Sequence, residues 1–233
     1  MSKIAIIYIS QGEKDNTTYN SLRIERKVID SEMEGEQQFA NYCCGLEVSV
    51  HLIYQGLQAD SVDNDNGTIT HFIKDSNFSE ILTNIDAEYF CIIYQGMILT
   101  SRNWLVNLLF SYEHINKSGV IGITTDTTKQ TATFLPDKEE GETIVFMPSD
   151  GIVNGIAFFS KRLYFEIGVF GNDLRGWEIP HFCVRAMKNL YENYCVDGEF
   201  AFGELKNPDA IGRYNMQKEL LEMEIKKNWY VSK

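Results

Sequence analysis

Residues 89–109 read YFCIIYQGMILTSRNWLVNLL. Tyr89–Tyr94 is apolar without polar alternation, the pattern of a strand buried on both faces of a parallel sheet. Gln95-Gly96 then releases the chain from the strand. Ser101 is placed to cap a helix on which Trp104, Leu105, Leu108, Leu109 and Tyr112 recur at helical spacing. A buried strand followed by an amphipathic helix is the repeating unit of a doubly wound α/β fold.

The same unit repeats toward the amino terminus. Lys3–Ser10 (KIAIIYIS) and Glu47–Tyr54 (EVSVHLIY) are strand-like. They bracket a helix-rich region, Asn20–Gly45, interrupted near Gly35 and closed by Gly45. Asp60–Gly67 reads as a turn-rich acidic loop, and Ile69–Ile73 as a short strand before a helix capped by Ser76 or Asn77.

Toward the carboxyl terminus the alternation loosens. Val120–Thr124 is a strand, followed by a Thr-rich charged loop to about residue 142. Thr143–Met147 and Ile152–Phe159 are further strands. Ser160 caps a short helix that Gly168 closes. Ile179–Tyr194 forms an amphipathic helix with Ile179, Phe182, Cys183, Ala186, Leu190 and Tyr194 on one side. Tyr214–Lys227 reads as a charged surface helix. No Pro/Gly/Ser linker divides the chain, so the expectation is one α/β domain with a central, mostly parallel sheet flanked by helices.

Composition narrows the partners. The 233 residues carry a formal net charge of −12, which opposes binding to nucleic acid or to an anionic membrane surface. An anionic ligand would need a local site of helix N-terminal amides. Cys43, Cys44, Cys91, Cys183 and Cys195 are odd in number and form no C-x-x-C pair, which suits free thiols in a reducing compartment. With no signal-peptide plan at Met1 and no apolar run near the ~20 residues that span a bilayer, the expected location is cytoplasmic.

Familiar catalytic signatures are missing. There is no G-x-G-x-x-G, no G-x-x-x-x-G-K-[ST] and no G-x-S-x-G. Asp63-Asn64-Asp65-Asn66-Gly67 has its glycine one place early for a calcium loop and lacks the closing glutamate. His51, His71, His114 and His181 show no metal-ligand spacing with cysteine. What does recur is a strand-end triplet: Ser10-Gln11-Gly12, Tyr54-Gln55-Gly56 and Tyr94-Gln95-Gly96. Glycine there permits a turn, and the glutamines and tyrosines stand where open α/β sheets bind ligands.

Residues 154–186 read NGIAFFSKRLYFEIGVFGNDLRGWEIPHFCVRA. This stretch resembles the late motif of family 2 nucleotide-sugar glycosyltransferases. Gly155, Ser160, Lys161, Phe165, Ile167, Gly168, Phe170, Leu174, Gly176, Trp177, Glu178, Phe182 and Arg185 fall in register with it. The acidic position after G-x-F is Gly171 here. The resemblance covers about a seventh of the chain, and Trp104-Leu105 matches a pair common in the family's central helix.

The resemblance implies a GT-A-like nucleotide-diphospho-sugar transferase fold: a nucleotide-binding half over about residues 1–100, and an acceptor and catalytic half over about 101–233. It implies a hexosyltransferase-type enzyme moving sugar from a nucleoside-diphosphate donor to a glycan or other hydroxyl acceptor. The expected donor contacts are Ser10, Gln11, Tyr54, Gln55, Tyr94, Gln95 and Arg185, with Trp177 against a sugar ring. Where the family carries D-x-D this chain has Tyr94-Gln95-Gly96, so Mn²⁺ or Mg²⁺ is not expected as a cofactor. Helix N-terminal amides, Arg185 or Lys161 would then meet the charge of the leaving diphosphate.

The family's acidic motif is Glu178-Ile179-Pro180-His181 here, leaving Glu178 or His181 as the base for the acceptor hydroxyl. Glu178, His181 and Arg185 stand at i, i+3 and i+7, on one face of a helix that Pro180 helps to start, pointing away from its apolar face. The alternative is a non-catalytic carbohydrate-binding or interaction protein on the same fold.

Overall fold

The computed structural model describes residues 2–11, 46–55, 61–65, 68–73, 79–94, 104–123, 133–136, 143–149, 156–171 and 178–197, with Glu219 and Met223. In chain order they form β1 (Ser2–Gln11), β2 (Leu46–Gln55), β3 (Ser61–Asp65), β4 (Thr68–Ile73), α1 (Ser79–Asn84), β5 (Tyr89–Tyr94), α2 (Trp104–His114) and β6 (Ser118–Ile123). There follow β7 (Thr133–Pro136), β8 (Thr143–Ser149), β9 (Ile156–Ser160), α3 (Lys161–Glu166), α4 (Glu178–Lys188) and β10 (Glu192–Asp197).

The strands make one mixed sheet in the order β3-β4-β2-β1-β5-β9-β6-β10-β8-β7. Its first half is a parallel block, β4-β2-β1-β5. β9 then enters antiparallel between β5 and β6, and β10 runs parallel to β6. The chain leaves β1 on one side for β2 and returns on the other as β5, which makes the β1/β5 boundary the topological switch point.

Both faces of the sheet are covered, which explains why its strands read as unbroken apolar runs. Ile4, Ile6 and Tyr8 of β1 point to the face packed by Leu105, Leu108 and Leu109 of α2. Ala5, Ile7 and Ile9 point to the opposite face, packed by Leu82, Leu163, Tyr164, Ile179, Phe182, Cys183 and Ala186. The Ser160 hydroxyl accepts from the Leu163 amide at 3.1 Å, so α3 begins where the sequence places its cap. Gly168 follows α3 with φ +96°, a conformation that glycine adopts without penalty.

Three expectations are corrected. The acidic loop contains β3, antiparallel to β4 with Asp65 paired to Thr68. That register leaves Asn66-Gly67 as the connection, and Asn-Gly is a strong two-residue hairpin signal. The Thr-rich loop contains β7, antiparallel to β8. The helix expected over 179–194 stops at Lys188, and Tyr194 and Cys195 belong to β10.

That stop is a six-residue C-terminal turn. The Tyr191 amide donates to Ala186 O and the Leu190 amide to Met187 O, both at 3.0 Å, with Leu190 at φ 63°. Glycine usually occupies such a position, so leucine hid the helix end from the sequence. The expected helices over Asn20–Gly45 and after Ser76 or Asn77, and the Ser101 cap, lie outside the described residues. Of the tail helix, Glu219 and Met223 are described, helical and exposed.

Candidate active site

The three strand-end segments converge. Ser10 pairs with Tyr54, Gln11 with Gln55, and Ile9 with Tyr94. Ser10, Gln11, Tyr54, Gln55 and Tyr94 therefore stand side by side at the carboxyl edge of β1, β2 and β5, across the switch point. Gln95 and Trp177 lie outside the described residues. The Tyr54 ring is 4% exposed and packs with Tyr8, Leu52 and Ile93 in the core on the α2 face.

α4 is aimed at the same edge. Its carboxyl end turns through 189–191 into Glu192, which pairs with Ser118 at the start of β6. β6 is parallel to β5, because β9 runs antiparallel to both. The helix therefore descends toward the amino edge of the sheet and begins nearer the carboxyl edge. Glu178 is its first residue and only 3% exposed. His181 is half-buried, with Nδ1 enclosed.

The stripe of Glu178, His181 and Arg185 is thus not a solvated surface. It borders the core, and the Arg185 guanidinium lies over the Phe182 ring, 5.4 Å from its centroid. Arg185 Nη1 donates to Val169 O at 3.0 Å and to Ile167 O at 3.3 Å, the two carbonyls flanking Gly168. Nε and Nη2 are buried with no hydrogen-bond partner among the described residues. Burial pulls this guanidinium below its usual pKa, partly offset by nearby Tyr164.

Lys161 stands at the wrong edge for the leaving diphosphate. Its amide donates to Glu88 O at 2.7 Å and its Nζ to Ile85 O at 2.5 Å, both just before β5 begins. That is the amino edge, a strand length from Gln11 and Tyr94. The side chain holds the α1–β5 connection.

Tyr164 is a second anchor of the α3 exit. Its hydroxyl lies 2.6 Å from Ser79 Oγ and accepts from the Phe170 amide at 3.3 Å. The segment 167–170, which precedes 171–177 and Glu178, is therefore held from two sides, by Tyr164 and Arg185.

One polar pair was not visible in the sequence. His51 Nδ1 lies 3.1 Å from His71 Nε2, and His51 Nε2 lies 3.1 Å from Ser49 Oγ. Pairing of β2 with β4 creates this contact, placing Ile53 beside His71 and Ile69 beside His51. Burial, reinforced by His71, lowers the His51 pKa to about 4, and burial lowers that of His71.

The strand-end triplet Tyr94-Gln95-Gly96 supplies no carboxylate, so it does not fit an Mn²⁺ site. Among the described residues no three His, Cys, Asp or Glu side chains gather as metal ligands. Among those residues, too, no helix is long and apolar enough to cross a membrane.

No protein-family model matches the chain, and no curated protein matches it. Solved structures do. The chain is similar to a mannosyltransferase from Pyrobaculum calidifontis in complex with GDP-Man and Mn²⁺, with 11% identity and a TM-score of 0.52, covering 88% of this chain and 58% of that one. It is also similar to GalNAc-T7 with UDP, GalNAc and Mn²⁺, with 10% identity and a TM-score of 0.54, covering 84% of this chain and 42% of that one. The chain thus spans about half the length of these two proteins. A mixed α/β sheet with its switch point at β1/β5, together with these likenesses, gives the chain a GT-A-like nucleotide-diphospho-sugar transferase fold.

Proposed function

We propose that this chain is a glycosyltransferase, a family 2 type with a degenerate D-x-D, which moves a sugar from a nucleoside-diphosphate donor to an acceptor hydroxyl. The observation that carries the reading is the convergence of Ser10, Gln11, Tyr54, Gln55 and Tyr94 at the switch point. Both neighbours with this fold are complexes with a nucleotide and Mn²⁺. Residues 1–100 form the donor half and 101–233 the acceptor half of a single domain. We place the chain in the reducing cytoplasm, with which the burial of Cys91, Cys183 and Cys195 is compatible.

In this reading Glu178 or His181 takes the proton of the acceptor hydroxyl as its oxygen attacks the anomeric carbon. The nucleoside diphosphate departs with the bonding electron pair. Glu178, 3% exposed, is the first residue of α4, at the end of the helix nearer the carboxyl edge. Strand-end and helix N-terminal amides meet the phosphate charge.

Calorimetric titration with nucleoside diphosphates and their sugars, first with Mn²⁺ and then with EDTA, tests the proposal. Binding of one nucleotide that survives EDTA supports a metal-independent transferase. Binding with Mn²⁺ alone supports a transferase whose metal ligands lie outside the triplet. No binding under either condition sinks the reading. A second reading, a carbohydrate-binding module without turnover, is favoured by the neutral triplet at the D-x-D position. Glycan binding that persists in Glu178→Ala and His181→Ala, without any transfer by the wild type, would establish it.

A further inference from the structure

Arg185 was expected to touch the donor, yet its surroundings give it another task. We infer that Arg185 is a positioning residue: it fixes the rotational setting of α4 and so the direction in which Glu178 meets the acceptor. The inference rests on the glycosyltransferase reading above.

Three observations carry it. Nη1 bonds both carbonyls flanking Gly168, which ties α4 to the exit of α3. The guanidinium lies over Phe182, and its remaining N–H groups are enclosed rather than presented to solvent. Gly168 itself is fitted to the clamp, since a Cβ there would stand 3.0 Å from Nη1.

Helix geometry turns the clamp into a site effect. Seven residues are almost two full turns, so Arg185 and Glu178 share one stripe, offset by only about 20° around the axis. A helix held at Arg185 cannot roll without carrying Glu178 with it. The same spacing puts the two residues about 10 Å apart along the axis, with Arg185 the farther from the carboxyl edge. A contact with a diphosphate at that edge is therefore not its task. On the other side of α4, Asn193 Nδ2 donates to Cys183 O at 3.0 Å, so the helix is braced from both flanks.

The experiment compares Arg185→Gln, Arg185→Lys and Gly168→Ala with the wild type. The readouts are the calorimetric affinity for the nucleoside diphosphate and the turnover number for sugar transfer. A positioning role predicts nucleotide affinity within about twofold of wild type and turnover reduced roughly thirtyfold or more in Arg185→Gln. Gly168→Ala, which disturbs the clamp from the other side, shares that pattern. Arg185→Lys, which can still bond one carbonyl, regains part of the turnover.

Nucleotide affinity weakened about tenfold or more in Arg185→Gln, with Gly168→Ala like wild type, would overturn the inference in favour of a donor contact. Turnover unchanged in both would overturn it as well. If Arg185→Gln does not fold, Gly168→Ala and Arg185→Lys decide the question by the same two readouts. A wild type that binds no nucleoside diphosphate removes the glycosyltransferase reading itself, a different failure seen before any variant is made.

Discussion

His51 and His71 meet end to end, not face to face. Their ring planes are 18° apart, and their centroids are separated by 5.5 Å while the facing nitrogens are 3.1 Å apart. The difference is a ring radius on either side, so one imidazole nitrogen points at the other along a nearly common plane. Such a contact holds a single proton. A second would set two N–H donors against each other inside the fold.

This pair makes stability sensitive to acid. His51 is 5% exposed, and its folded pKa of about 4 lies below the ordinary 6.5. As pH falls from 6.5 toward 4, the unfolded chain takes up a proton that the folded chain refuses. The stability contribution is therefore complete above about pH 6.5 and lost progressively down to about pH 4, a change of about 3 kcal/mol at most. Thermal unfolding of wild type and His51→Gln across this range should diverge, the variant showing the flatter profile. Parallel profiles would mean the pair does not titrate as described.

Asn193 does the work of a missing ladder bond. The register of β10 against β6 shifts between Glu192 and Tyr194, and the Asn193 side chain fills the gap. Oδ1 accepts from the Val120 amide at 2.9 Å while Nδ2 donates to Cys183 O. Asn193→Ala leaves a buried amide and a buried carbonyl without these partners and should cost roughly 2–4 kcal/mol in denaturant unfolding. Gly119→Ala should also destabilise, because a Cβ there would lie 2.6 Å from Asn193 Oδ1. Combining the two should cost less than their sum, since the first removes the atom that the second strikes.

Leu190 carries two unfavourable features at once: a left-handed backbone and a side chain 75% exposed. Leu190→Gly relieves the first and discards little packing. The variant should be about 0.5–1 kcal/mol more stable, read as a higher denaturant midpoint with an unchanged slope. A less stable variant would mean that the exposed leucine contributes contacts of its own.

Glu178 and His181 compete for one role, and isosteric changes separate them. Replacing the base, by Glu178→Gln or His181→Asn, should lower turnover by about 10²–10⁴ with nucleotide affinity retained. The other replacement should have a much smaller effect. Equal, small effects from both would remove the proposed chemistry from this helix.

The parallel block was legible because burial on both faces leaves an unbroken apolar signature, as in β1 and β5. The Ser160 cap and the Gly168 close were legible because each rests on local backbone chemistry. β10 was not, because Leu190 stands where a glycine would announce the helix end. Tyr194 also continues the apolar period of α4 by coincidence. Five of the seven expected donor residues fall within the described residues at the strand ends. The clamp at Arg185 and the His51–His71 pair depend on contacts between segments far apart in the chain, and no local pattern encodes them.

The insertion of β9 between β5 and β6 has a consequence for how the molecule is made. Ile92 on β5 and Gly122 on β6 both wait for Ala157, so β5 lacks its second neighbour until β9 is made, and β6 lacks even its first. The face that Ile7 and Ile9 present has Leu82 of α1 early, but it is not completed until α3 and α4 have been synthesised. A nascent chain ending near residue 100 lacks α2, which packs one face of its parallel strands, and α3 and α4, which complete the other, an aggregation-prone state. The molecule closes late: among the described residues α4 and β10 are the last to join this face, and they finish both its core and the candidate catalytic helix.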